Sequence, residues 1–197
     1  MPLVVPKTGA EPFHNGTFLL KRTLRDFWRW SASDLVGNAL RGILAEYIVA
    51  TALDLPQAGR VEWEAFDLVT PGGLTLEVKS AAYVQAWVQK ALSKIKFGIA
   101  PTRAFEAVTN DRTGPLKRQA DVYVFCLLHH QDRATVDPLD MAHWTFYVLP
   151  TAASEQQCPT QKSIVLASLL RMKPCHCAYE ELAKAIESIG ETYDNHH

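Results

Sequence analysis

No stretch of this sequence approaches the roughly 20 consecutive apolar residues that a membrane-spanning helix needs, which excludes a helical membrane span as an expectation. The N-terminus has no basic region followed by an apolar one, so no secretory signal is expected and a cytoplasmic location is. Cysteine is scarce, with only Cys126, Cys158, Cys175 and Cys177. Without a secretion signal, free thiols are the default. Cys175-His176-Cys177, with Cys158 upstream, could be read as zinc ligands, but one residue between paired cysteines is poor spacing for that metal. Neither sign of charge is in excess. The 20 Lys and Arg against 21 Asp and Glu leave a net charge of −1, which argues against a constitutive nucleic-acid coat protein. Also missing are a Walker-type phosphate loop, a Rossmann fingerprint, a Gly-x-Ser-x-Gly elbow and a His-Glu-x-x-His pair. No internal repeat or low-complexity tract is present.

What is there is a chain of 197 residues, 48% hydrophobic and 21% charged, long enough for one ordinary domain with a core. Residues 1–32 are expected to form an N-terminal arm and helix, and residues 33–197 a single domain. Charge is unevenly placed. Residues 90–118 hold seven basic side chains against Glu106 and Asp111, a local +5, whereas the last twenty residues sum to −4. Either a phosphate-facing surface with an acidic back or ordinary solvated faces would give this pattern.

Residues 1–16 contain Pro2, Pro6 and Pro12 and read as an extended arm. Residues 17–30 carry a helical pattern through Leu20, Leu24, Phe27 and Trp28. A strong helix is predicted over residues 34–53, with Ser33 or Asp34 as its N-cap and apolar residues from Leu35 to Leu53 at helical spacing. Residues 61–69 and 74–80 predict a hairpin around Thr70-Pro71-Gly72-Gly73. Helical spacing returns over 83–97, with Trp87 on the apolar face, and a basic loop follows over 98–118. Strands are predicted over 120–129 and 143–149, the first of them central because it is continuously apolar. Residues 163–170 are ambiguous, and 178–190 read as an amphipathic helix. The expected fold class is α/β with a mixed sheet.

The chemistry concentrates in the hairpin. Strand side chains alternate faces. A turn centred on Gly72 pairs Val69 with Thr75, Leu68 with Leu76, and Asp67 with Glu77. Phe66, Leu68, Leu74, Leu76 and Val78 then share a core face. Asp67 and Glu77 lie opposite each other on the other face, with Lys79 two residues on. Like charges directly opposite in a sheet repel. Either this is a solvent-facing hairpin in which Lys79 offsets Glu77, or the two carboxylates hold a divalent cation. Mg²⁺ is commonly bound by one or two carboxylates, with water and phosphate completing the shell. A lysine beside it can stabilise developing charge or activate water. Glu46, one of only two charges in the interior of the 34–53 helix, lies between Gly42 and Ala50, where close approach to the sheet could bring it to the metal region.

A helix bearing Glu46, then Asp67, then Glu77-Val78-Lys79 at the end of the next strand, then a helix, resembles the PD-(D/E)XK, restriction-endonuclease-like nuclease superfamily over roughly residues 33–130. Phe66 stands where the literal motif has proline. The resemblance implies an αβββαβ core with a central mixed sheet flanked by helices, and Mg²⁺-dependent phosphodiester hydrolysis, with Mn²⁺ able to substitute. It also implies metal ligands at Asp67 and Glu77, catalytic Lys79, and Glu46 as an upstream acid. The expected substrate is nucleic acid, DNA first, in restriction, defence or repair. The alternative is a non-catalytic nucleic-acid-binding module on the same fold. Some exonuclease-like members carry a glutamine after the lysine, which Gln85 matches loosely; a surface glutamine is the competing reading. Lys94, Lys96, Arg103, Lys117 and Arg118 are candidate phosphate contacts, and Asp121 is read as structural. A homodimer is an expectation because cutting both strands needs two sites related by symmetry.

Overall fold

The structure is a computed structural model that describes residues 5–56, 65–103 and 114–194. It opens with β1 (Pro12–Asn15) and β2 (Phe18–Thr23), an antiparallel hairpin, followed by α1 (Leu24–Ser31). The helical pattern expected from residue 17 begins only at Leu24. Thr23 and Asp26 form a capping box there, with the Thr23 backbone N–H donating to Asp26 Oδ2 at 2.8 Å. The next helix, α2 (Asn38–Ala52), starts four residues later than predicted. Asp34 does not cap it. Its carboxylate accepts from Gly37 N at 3.2 Å and closes a turn ahead of the helix.

The chain continues through β3 (Leu68–Val69), β4 (Thr75–Ala82), β5 (Lys96–Gly98) and β6 (Val122–Leu128). After a 3₁₀ turn at Met141–His143 come β7 (Trp144–Pro150), α3 (Thr151–Gln157), β8 (Ser163–Val165), α4 (Leu166–Arg171), β9 (Cys175–Cys177) and α5 (Tyr179–Asp194). The main sheet has the order β3-β4-β6-β7-β9. The β4–β6 pair is parallel and the other pairs are antiparallel. A second small sheet pairs β5 with β8. The architecture is α/β with a mixed central sheet and flanking helices, as the sequence implied. No helix among the described residues is long and apolar enough to cross a membrane.

All seven residues of β6 are buried, as expected of a strand covered on both faces. Val122, Val124, Cys126 and Leu128 pack with Leu76, Val78 and Ala82 under α2 and α5. Tyr123, Phe125 and Leu127 point the other way, onto Ala81, Phe97, Ile164 and Leu169. Asp121 fixes the parallel register. Its carboxylate accepts from Thr75 N at 3.0 Å and from Thr75 Oγ1, and its own N–H reaches Thr75 O at 3.1 Å.

The helix expected over 83–97 is absent. Val84 and Ile95 are buried, but Trp87, Val88 and Leu92 are exposed, so the apolar spacing makes no single face. Side chains capture the backbone groups that a helix would use. Arg133 donates to the carbonyls of Gln85, Ala86 and Trp87 at 2.8–2.9 Å, and Gln89 bonds Gln85 N and the Tyr83 carbonyl. The cysteines do not form a zinc set. All four thiols are free, and Cys158 and Cys177 belong to cores on opposite faces of the sheet.

Candidate active site

The hairpin that carries the candidate centre closes as its turn residues dictate. Thr70 N donates to Leu74 O and Gly73 N to Thr70 O, both at 2.9 Å. Gly73 sits at φ +85°, a conformation that a residue with a Cβ rarely adopts. The register is the expected one, Leu68 opposite Leu76 and Val69 opposite Thr75. It then departs from a plain ladder. The Asp67 N–H reaches Leu76 O at 3.0 Å, and the Asp67 carboxylate accepts the Val78 N–H at 2.7 Å. Asp67 is thus tied to the β4 backbone by both its main chain and its side chain.

On β4, alternation places Glu77 and Lys79 with Ala81, on the face opposite Leu76 and Val78. The Lys79 ammonium lies 4.0 Å from Asp67 Oδ2 and in direct contact with Glu77 Oε1. The three side chains are 21%, 23% and 29% exposed for Asp67, Glu77 and Lys79, so the cluster is shielded yet open to solvent. Glu77 is beside Tyr123 on β6. Burial, and secondarily the Glu77 charge, push the Tyr123 phenol well above its ordinary value, which keeps it neutral.

Two carboxylates held to one cation fit a hard, oxygen-seeking metal in donor chemistry. The ammonium contacting both shows that a positive charge is accommodated at this point. Glu46 is half-buried on α2, which covers the face bearing Leu76 and Val78. Among the described residues no three His, Cys, Asp or Glu side chains are placed to hold a metal, so Glu46 does not complete a three-carboxylate set.

The basic candidates divide. Lys94, Lys96, Arg103 and Lys117 are exposed. Arg103 bonds the Gly114 carbonyl, and Lys117 pairs with Thr102 in an isolated bridge. Arg118 is a correction. Its guanidinium is buried and donates to the carbonyls of Ile99, Cys158 and Gln161 at 2.8–3.2 Å, so it is a core clamp and not a phosphate contact. Gln85 is not a surface glutamine either. It is 6% exposed, and its Nε2 donates to Ala82 O at 2.8 Å. Sequence reasoning overlooked Arg41, a buried arginine on α2, although it was one of two charges in an otherwise apolar helix.

Comparison with known proteins adds one match. The model of the family described as bacteriophage T4 endonuclease IV aligns with residues 21–168 of the chain, which takes in the hairpin, β6, β7 and every candidate side chain named above. No curated protein matches significantly.

Proposed function

The chain belongs to the bacteriophage T4 endonuclease IV family, and from that premise we propose that it is a divalent-metal-dependent DNA endonuclease of the PD-(D/E)XK kind, centred on Asp67, Glu77 and Lys79. One observation carries the reading: the Lys79 ammonium is within reach of both the Asp67 and Glu77 carboxylates on a hairpin of defined register. A pair of acids and a lysine drawn together in this way has a simple use in phosphodiester hydrolysis.

Asp67 and Glu77 would hold the cation, Mg²⁺ or in its place Mn²⁺. When bound, that cation would lower the pKa of a coordinated water and neutralise phosphate oxygens. The chain's own contribution is positional. Asp67 is immobilised through Val78 N just ahead of β3, which fixes its carboxylate against the β4 backbone. Lys79, released from its contact with Glu77, places its ammonium where negative charge builds on the phosphate. The shielding of all three strengthens each charge relative to bulk water. Lys94, Lys96, Arg103 and Lys117 are exposed cations that can add sequence-independent affinity for the phosphate backbone. A role in restriction, defence or repair, and a homodimer for cutting both strands, follow as expectations of the same reading.

The test is Mn²⁺ binding measured by electron paramagnetic resonance, alongside cleavage of single-stranded DNA, duplex DNA and RNA. The native protein binds the ion and cuts DNA, and Asp67→Asn and Glu77→Gln each lose both. Undiminished Mn²⁺ binding in both variants would remove the carboxylates from the metal site and the proposal with them.

A further inference from the structure

Beside the C-terminal half of β4 is a cavity of about 340 Å³ lined by Asn38, Arg41, Ser80, Ala81, Gln85, Lys94 and Lys96, among others. Two side chains lining it are more than nine-tenths buried and hold a polar atom without a partner among the described residues. Arg41, 4% exposed, uses Nη1 on the Val36 carbonyl at 2.7 Å and Nη2 on Asn38 Oδ1 at 2.6 Å, and its Nε–H has no acceptor. Gln85, 6% exposed, uses Nε2 on Ala82 O, and its Oε1 has no donor. Buried polar groups are almost always hydrogen-bonded, so each orphan calls for an explanation. Here one donor and one acceptor line the same polar cavity.

The surroundings favour an anion. Lys94 and Lys96, exposed on either side of buried Ile95, line the cavity, and no acidic side chain among the described residues does. α2 begins beside the cavity, but the Asp34 carboxylate already accepts from Gly37 N at its start, so the preference for an anion rests on Arg41 and the two lysines. Gln85 Oε1 needs a hydrogen-bond donor, which a fully deprotonated anion such as sulfate lacks. A phosphate attached to a sugar and a base offers both, with acceptor oxygens for Arg41 and the lysines and a hydroxyl or amine for Gln85. The cavity has room for more than a phosphate ion.

We propose that this cavity is a nucleotide subsite, binding one phosphate of the substrate strand through Arg41, Lys94 and Lys96 and a donor of its nucleoside through Gln85. It rests on the nuclease reading only for the source of the phosphate. The fold allows one strand to reach both places. β3 pairs with β4 only at Thr75 and Leu76, so among the described residues Glu77–Ala82 form the edge of the main sheet. A strand passing that edge meets Lys79 and then the cavity beside Ser80 and Ala81.

The experiment follows the Arg41 Nε–H resonance of the full chain in EDTA, titrated with inorganic sulfate, which has no donor, and then with each deoxynucleoside 5′-monophosphate. The resonance moves with both probes, nucleotides bind several-fold more tightly than sulfate, and Lys94→Ala/Lys96→Ala weakens both by about tenfold, about half a log unit for each exposed ion pair. An Arg41 resonance unmoved by every probe overturns the subsite. Equal affinity for sulfate and nucleotides overturns the role of Gln85. Because no divalent ion is present, the outcome is separate from catalysis. A protein that binds nucleotides here yet never cuts DNA would refute the nuclease reading and keep the subsite.

Discussion

Replacing Arg118 by methionine separates the two roles a basic residue in this segment can have. The guanidinium is 5% exposed and joins two distant parts of the chain, Ile99 after β5 and the turn between α3 and β8. It donates to Ile99 O at 2.9 Å, Cys158 O at 2.8 Å and Gln161 O at 3.2 Å, with Pro159 O farther off at 3.5 Å. Methionine keeps much of the apolar stem and removes every donor. Three charge-assisted bonds are lost, and the Ile99 and Cys158 carbonyls are left in a dry interior, while those of Gln161 and Pro159 can turn to water. At about 1–2 kcal/mol for each of these two buried losses the total is about 2–4 kcal/mol. For a chain of this length that corresponds to a fall in melting temperature of about 10 °C. Thermal unfolding followed by near-ultraviolet circular dichroism reads it directly. The same variant, assayed well below its melting point, keeps the native salt dependence of DNA binding. Lys117→Ala, at an exposed neighbour, does the reverse: it melts like the native protein and loses about 0.7–0.9 in the slope of log K against log salt. An Arg118→Met protein that melts with the native one and shows the reduced slope would refute this placement.

Alkylation under native conditions modifies Cys175 first, since it is the exposed thiol, whereas burial raises the Cys126 thiol far above its ordinary value and pushes Cys177 up to about 11; mass spectrometry showing fast labelling of Cys126 would contradict the core packing. Burial, then the neighbouring His143 and His130, hold the His129 imidazole below its ordinary 6.5. The unfolded chain therefore binds the extra proton just below pH 6.5, and the stability that neutral His129 contributes is lost as pH falls through that window. Urea midpoints measured from pH 7 downward fall less steeply in His129→Gln, and identical slopes would sink the assignment.

How much of this was legible in the sequence depended on whether a residue's partners are local. The 70–73 turn, the Leu68–Leu76 register and the apolar β6 depend on neighbours and on periodicity, and they appear in the structure as expected. The same register reasoning brought Asp67, Glu77 and Lys79 together. It did not foresee that Asp67 would bind Val78 N, a departure made where the ladder ends. The 83–97 helix failed because Arg133, nearly fifty residues downstream, takes the carbonyls of Gln85, Ala86 and Trp87. Periodicity cannot register a competitor that arrives from so far away. Arg118 misled for a similar reason. A basic run looks solvent-facing until distant carbonyls at Ile99 and Cys158 are seen to converge on one of its members. The small sheet joining Lys96–Gly98 to Ser163–Val165 is likewise a long-range pairing of three-residue strands, too short to show an alternation.

If Lys79 acts beside the proposed metal ligands Asp67 and Glu77 in cutting DNA, single-turnover cleavage in Mg²⁺ will depend on it. Native protein and Lys79→Ala are compared at saturating enzyme, each with an EDTA control. The native protein is expected to cut, EDTA to abolish the cutting, and Lys79→Ala to be slower by at least about a hundredfold, the scale of one lost charge-stabilising group in a shielded site. Cutting that persists at the native rate in Lys79→Ala, or that is indifferent to EDTA, would contradict it and place the active site elsewhere.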